Sequence, residues 1–383
     1  MSAVNQKNKA LVWDFWQRMN FAEPDQVAGL VEKTFHKDVD WNASQPINQI
    51  RGTDALVADF YEPLRGSFPD LKLEADILMG GVRESSSRGG NGAEWVSGTG
   101  HLIGTFVHDW IGIPATGKKT VIHFGQYLLM RDGKVAASYT IFDTLGVMKQ
   151  AGFQVLPPAL GQEGGKVIKP YENAILLAEQ DEQIGRQTRQ AVSAMGSGMG
   201  RYIRSRDGLN LESMGQQMYW DQDFHWMGPT GIGSSHNLEE YEDYHQRPWL
   251  VFSGDRHDTM DFEPKGGLGV GGYAEGKFSC GGIWDWQWSR HHGEYQGVEA
   301  TGKILTMRDF DWYYVDGGKI VQNWVPIDMV DIFLQLDVDL FDRMHRQHEL
   351  RKRGIDWWNL PLDGFGEAVA QQVSDIMGAK RRS

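Results

Sequence analysis

Apolar residues recur at helical spacing near the start of the chain: Leu11, Val12, Phe15, Trp16 and Met19 mark one face of a first helix. A second helix is expected over about residues 25–35 and a third over about 54–65, the third with Thr53 as its N-cap and Phe68-Pro69-Asp70 beyond its end. From Leu71 the period changes to two. Leu71–Met79, Ala93–Phe106 and Thr120–Met130 read as strands, Arg131-Asp132-Gly133-Lys134 as a hairpin turn, and Val135–Asp143 as the last strand. Helices first and strands afterwards predict an α+β domain, with a curved antiparallel sheet packed on about three helices.

The pattern then repeats. Residues 112–148 (GIPATGKKTVIHFGQYLLMRDGKVAASYTIFDTLGVM) and 297–333 (GVEATGKILTMRDFDWYYVDGGKIVQNWVPIDMVDIF) align without gaps at an offset of 185. Ala115-Thr116-Gly117-Lys118 falls on Ala300-Thr301-Gly302-Lys303, Gly133-Lys134 on Gly318-Lys319, and Asp143 on Asp328. Upstream, Asp38 and Trp41 fall on Asp223 and Trp226. So many identities at one offset, with turn residues at the turns, indicate a tandem duplication. The expected division is a first domain over 1–155, a Pro/Gly-punctuated linker over 156–185, a second domain over 186–340 and a helical extension over 341–383 that holds Trp357-Trp358. Residues 171–219 read as helix interrupted near Gly196–Gly200, and the Gly-rich stretch 262–276 as a hairpin tip.

Composition narrows the function. The 383 residues carry a net charge of −13, so phosphate backbones would be repelled and nucleic acid is disfavoured as a partner. No apolar run reaches the roughly 18 residues of a membrane span, and the N-terminus lacks a secretory apolar core. The single cysteine, Cys280, cannot pair within the chain and has no metal spacing, which suits a reducing cytoplasm; a buried structural thiol is expected. Adjacent His291 and His292 point to opposite faces of a strand, which is poor metal geometry, and no phosphate loop, Gly-x-Ser-x-Gly elbow or dinucleotide fingerprint is present. Neither a metal nor a cofactor is implied. Tryptophan is unusually frequent, 15 against 17 Phe, and such rings line apolar ligand pockets as well as cores.

Gly-Ile-Pro-Ala-Thr-Gly-Lys at 112–118, the Asp132-Gly133-Lys134 turn, the strand ending Phe142-Asp143, Leu145-Gly146 and Phe68-Pro69-Asp70 together resemble the SnoaL-like polyketide cyclases of the nuclear-transport-factor-2-like superfamily. The match covers most of 8–152 and, less closely, 205–335. The resemblance implies a cone: a bent sheet wrapped on three helices around a pocket. Family members often pair sheet to sheet, so the tandem copy implies an intramolecular pseudo-dimer, with a homo-oligomer left open. It also implies ring closure by aldol chemistry without a metal or cofactor, an acid taking a proton next to the carbonyl of a small hydrophobic molecule.

Strand parity groups the candidates. Tyr139, Ile141 and Asp143 share a face, as do His123, Tyr127 and Leu129; the second-copy sets are Trp324, Pro326 and Asp328, and Arg308, Trp312 and Tyr314. If that face lines the cone, Asp143 is the general base and His123 its proton partner or the enolate's donor, with Asp328 equivalent; capping of the following helix is the competing role for Asp143, and a hydrogen-bonded structural strand histidine that for His123. Where the resembled family often carries Asp, the first copy has Gln126 and the second Asp311. Arg308 and Asp309 read either as site residues or as an ion pair. Trp41 and Trp226 are stacking walls or core, and His225 with Asp223 or Asp328 is a second acid–base couple. Trp284, Trp286 and Trp288 are expected on one face, at the seam between copies or, alternatively, lining an apolar pocket, with His101 at the position of Trp286. The expected function is proton-transfer chemistry on a small hydrophobic carbonyl compound (cyclisation, isomerisation, dehydration or hydrolysis); the alternative is a non-catalytic binding or assembly module.

Overall fold

The computed structural model describes residues 3–84, 92–163, 168–205 (backbone alone for 201–205), 211–253 and 267–354. Trp357-Trp358 and part of the Gly-rich stretch lie outside them.

The first sheet contains β1 (Phe35–Ala43), β2 (Gln49–Arg51), β3 (Lys72–Val82), β4 (Glu94–Thr105), β5 (Lys119–Arg131) and β6 (Lys134–Phe142), in the order β2-β1-β6-β5-β4-β3. The second contains β7 (Trp220–Met227), β8 (Leu268–Glu275), β9 (Phe278–Arg290), β10 (Ile304–Asp316) and β11 (Lys319–Trp324), in the order β7-β11-β10-β9-β8. The plan is the same, and it is α+β in both halves. Each sheet departs from pure antiparallel pairing at one place, because β1 runs parallel to β6 and β7 parallel to β11.

In the first half, α1 (Ala3–Met19) buries Val12, Phe15 and Trp16 against the concave face of the sheet. The third helical run starts at Thr53, but its N-cap is Gly52, at φ +83. Its middle turn, Val57–Tyr61, is a π-turn, and an equivalent π-turn, Glu242–Gln246, marks the second half. The helix expected over 171–219 is shorter: residues 168–181 hold no helix, Tyr171 N donating to Gln322 of the second domain and Ile175 bridging Leu78 of the first, and a continuous helix covers Glu182–Ser205. The helix runs through Gly196 and Gly200 without a break.

The two sheets pack back to back. Their outer faces form one apolar layer in which Trp95, Tyr127, Tyr139 and Ile141 of the first domain meet Trp284, Phe310, Trp312 and Trp324 of the second. The Gly-rich stretch enters this layer as strand β8, not as a hairpin tip; the tip is Gly276-Lys277. Glycine is needed there for close approach, since a Cβ on Gly271 (φ +58) would lie 2.3 Å from Cε1 of Tyr127. The expected three-indole face is also broken. Asp285, at φ +50, makes a bulge that leaves Trp284 in the seam and turns Trp286 and Trp288 into the second cone.

Polar contacts clamp the seam with the pseudo-symmetry of the duplication. Asp143 and Asp328 each cap the helix that follows, accepting from Gly146 N at 2.9 Å and Asp331 N at 3.2 Å. Their second oxygens each accept from the opposite domain, Asp143 from Thr230 Oγ1 at 2.6 Å and Asp328 from Gln45 N at 2.9 Å. Gln45 and Thr230 are themselves 185 positions apart. A last helix, Leu340–Lys352, crosses back onto the first domain, with Gln347 bonded to both N and O of Gln154. No helix among the described residues is long and apolar enough to cross a membrane.

Candidate active site

Parity decides which side chains a cone can present, and it is the reverse of the expected one. A small chamber, open at one end, lies between α1, the third helical run and the concave sheet face of the first domain. Phe124, Gln126, Thr140 and Phe142 line it, so the even positions of β5 and β6 face inward. Trp41 does form a wall, 4.4 Å from the Phe60 ring. The odd set faces the seam instead.

The floor of this chamber is polar and uncharged. Gln126 Nε2 donates to Thr140 Oγ1 at 2.9 Å and to Ser138 Oγ at 3.3 Å, while Trp16 Nε1 approaches Gln126 Oε1 at 3.4 Å. The mouth groups have structural tasks: Arg65 donates to the carbonyls of Met19 and Ala22, and Asn20 brackets Leu73. Burial pushes the Tyr61 hydroxyl far up, so it stays protonated. The indole N–H of Trp41 is buried without a partner. No carboxylate or histidine is among the described residues lining this chamber.

The second floor differs at the same positions. Gln126 corresponds to Asp311 and Phe124 to Asp309, at the offset of 185. Trp312 lies in the seam, so its neighbours Asp311 and Tyr313 face the second cone, where both are only partly buried. Asn323 Nδ2 donates to Asp311 Oδ1 at 3.1 Å. The Tyr313 hydroxyl is within hydrogen-bonding reach of Asp311; burial, then the charge of that carboxylate, raises it well above its ordinary value. Trp226 packs inside this cone, stacked 4.2 Å from His245.

The remaining candidates lie elsewhere. Asp143 and Asp328 sit at the seam; burial raises both, Asp328 to about 7, with the charge of Asp331 adding to it and Arg308 opposing. Arg308 bridges Asp285 at 2.6 Å and Asp328 at 3.2 Å and lies over Trp284, so it belongs to an ion network at the seam. His123 is on the outer face, its Nε2 2.9 Å from Thr99 Oγ1 and its ring 5.1 Å from His101; burial, then His101, lowers it to about 3. His101 pairs with Asp76 at 2.9 Å, and Asp76 in turn with Lys169 at 2.6 Å. His225 bonds Tyr171 OH at 2.7 Å on the outer side of β7, away from Asp328. Tyr127, Tyr139, Trp312 and Trp324 fill the seam. Cys280 is buried beside Ser97. Trp41, read from sequence as a stacking wall or core, lines the first chamber, and Asp311 faces the second cone from the strand face opposite to the one that sequence parity turned inward; sequence reasoning missed Tyr61, whose signal was its helical spacing from Val57 and Leu64.

A family model for SnoaL-like polyketide cyclase matches residues 11–151 and 283–336. Among solved structures, a candidate SnoaL-like polyketide cyclase from Jannaschia sp. CCS1 is 17% identical over 40% of this chain and 97% of its own, with a TM-score of 0.33. IdmH, a candidate polyketide cyclase from Streptomyces antibioticus, is 14% identical over 38% of this chain and 99% of its own, with a TM-score of 0.30. A candidate polyketide cyclase from Xanthomonas campestris is 17% identical over 39% of this chain and all of its own, with a TM-score of 0.31. No curated protein matches the chain.

Proposed function

The chain belongs to the SnoaL-like polyketide cyclase family, and from that premise we propose that it moves a proton next to the carbonyl of a small apolar compound, using its own side chains and no cofactor, with Asp311 of the second domain as the base. One observation carries the reading: of two equivalent floors, only the second bears carboxylates, Asp309 and Asp311. Asp311 takes the proton, the C–H electron pair moves into an enolate, and protonation of Asp311 releases the Tyr313 hydroxyl to donate to the enolate oxygen. Return of the proton from Asp311 to a different atom isomerises; attack of the enolate carbon on a second carbonyl, whose π pair moves to its oxygen and takes the proton back from Asp311, closes a ring.

The test is exchange of the α-hydrogens of 1-indanone, a flat apolar ketone, for deuterium in D2O, followed by NMR. Asp311→Asn is expected to lower the protein-catalysed rate at least about 100-fold. An unchanged rate in that variant, with the fold intact, sinks the assignment. A second reading, non-catalytic binding of a neutral small molecule, is favoured for the first chamber by its uncharged Gln126–Thr140 floor. It is tested by whether 1-indanone still binds the Asp311→Asn protein in a calorimeter.

A further inference from the structure

Tyr127 belongs to the first domain, is fully buried, and points away from the first chamber. Its ring stacks on Trp312 at 4.9 Å and 19° and meets Phe310 edge-on at 4.8 Å. Those two residues flank Asp311. The phenol passes between the sheets and donates toward the carbonyls of Asp311 at 2.9 Å and Gly281 at 3.1 Å. Asp311 and Gly281 stand directly opposite each other on β10 and β9, so one hydroxyl spans both strands at the level of the acid. The slot for the ring exists because Gly271 has no Cβ.

Side chains alternate across a strand, so a grip on the back of β10 at residue 311 fixes how its carboxylate is presented at the front. The front is held too: Asn323 Nδ2 donates to Asp311 Oδ1 and, at 3.2 Å, to Trp312 O. We propose that Tyr127 is a positioning residue for the second domain's chemistry, holding the strand that carries Asp311 from behind, so that the catalytic unit is the pair of domains. This rests on the reading of Asp311 as the base. The pseudo-symmetric contact is different in kind. Trp312, 185 positions on from Tyr127, donates its indole N–H to a side chain, Ser97 Oγ at 3.2 Å, rather than to the backbone at Gln126. The back of the uncharged floor is therefore gripped by other means than the back of the acidic one.

The test uses 1-indanone exchange with the full chain in four forms: the unaltered protein, Tyr127→Phe, Ser97→Ala and Asp311→Asn. Tyr127→Phe keeps the ring and removes the hydroxyl. It is expected to lower kcat about 10- to 100-fold with KM within about two-fold, the size of effect that a small misplacement of a reacting group has. Ser97→Ala removes a hydrogen bond of similar burial in the same seam and is expected to leave kcat within about two-fold. Equal losses in the two variants, or no loss in Tyr127→Phe, overturn the proposal. If Asp311→Asn also leaves exchange unchanged, the assignment of the base falls with it; if Asp311→Asn abolishes exchange while Tyr127→Phe does not alter it, only the positioning role falls. Should Tyr127→Phe not fold, 3-fluorotyrosine at 127 keeps the shape and strengthens the donor; a shift in kcat or in the pH midpoint of kcat sustains the role, and a profile superimposable on that of the unaltered protein rejects it.

Discussion

The inner floors of the two domains stand at equivalent positions on equivalent strands, yet Phe124, Gln126 and Leu128 in one become Asp309, Asp311 and Tyr313 in the other. The outer faces diverge far less in what they do. Asp143 and Asp328 cap equivalent helices and take a bond from the opposite domain, and Tyr127 and Trp312 stack on each other at the centre of the seam. The duplicated fold therefore keeps these contacts across the seam and varies the concave faces. A side chain on the concave floor is not packed against the opposite domain. A seam residue is constrained by two domains at once.

The largest expected effect tests where that pseudo-symmetry fails. Lys9 of α1 and Glu275 of β8 form an ion pair with both side chains fully buried, and Lys9 also donates to the carbonyl of Leu176. The position 185 beyond Lys9 is Ala194, so the bond has no mirror image. Lys9→Met alone leaves Glu275 buried without its partner and should destabilise the chain by about 3–5 kcal/mol in urea unfolding. The double change Lys9→Met, Glu275→Met should recover most of that loss. Equal losses in the single and double variants would show that the lysine stem, not the charge, matters.

Next in size is Gly271→Ala. The new Cβ would meet the Tyr127 ring at 2.3 Å, at a φ of +58 that L side chains rarely adopt, and a cost of about 2–4 kcal/mol follows from strain and overpacking. Gly281→Ala, in the neighbouring strand, meets nothing closer than 3.7 Å and should cost under about 1 kcal/mol. Similar costs at both sites would mean that the sheets can separate, and that the seam is looser than its contacts indicate.

The helices and strands of the first half were legible because their apolar periods are clean, and the duplication was legible because turn glycines recur in register. Which strand face lines the cone was not. β6 is buried at eight of its nine positions, so alternation marks two faces without saying which one is covered by helices and which by a second sheet. The same ambiguity put Asp143 and His123 inside the chamber on paper and at the seam in the structure. A bulge such as that at Asp285 flips parity mid-strand without a sequence signal, and Lys9, an apparently surface-type residue on an amphipathic helix, carries no mark of its buried partner 266 positions away. Gln126 and Asp311 were legible as a difference between copies because the repeat aligns them.

The seam also sets a pH response. Asp328 is raised from 3.8 to about 7 by burial and by Asp331, and Asp143 is raised in the same direction by burial. A folded carboxyl that holds its proton more tightly than the unfolded one contributes stability in full below about pH 4 and loses it as pH climbs through about 7. Asp328→Asn keeps an acceptor for Gln45 N and should flatten that decline by on the order of 1–2 kcal/mol between pH 4 and 7 in denaturant midpoints. A slope unchanged by the substitution would mean that Arg308 keeps Asp328 ionised throughout.

The smallest effect separates the two domains most directly. Leu102 lines the first one, beside space that the protein itself leaves unfilled. Leu102→Phe puts apolar surface into that space and should raise stability by about 0.5–1 kcal/mol, read as a rise in melting temperature of a few degrees at most. If chemistry belongs to the floor that carries Asp311, the exchange rate of 1-indanone should not change, because the new ring lies on the far side of β4 and β5 from the second domain. Calorimetric binding of the same ketone should nevertheless lose the component contributed by the first chamber. A fall in exchange that tracks the loss of binding would place the reaction in the first chamber, where the polar groups among the described lining residues are Gln126, Thr140, Tyr61, the indoles of Trp16 and Trp41, and Asn20 and Arg65 at the mouth, and hydrogen-bond polarisation would then replace proton abstraction as the mode of catalysis.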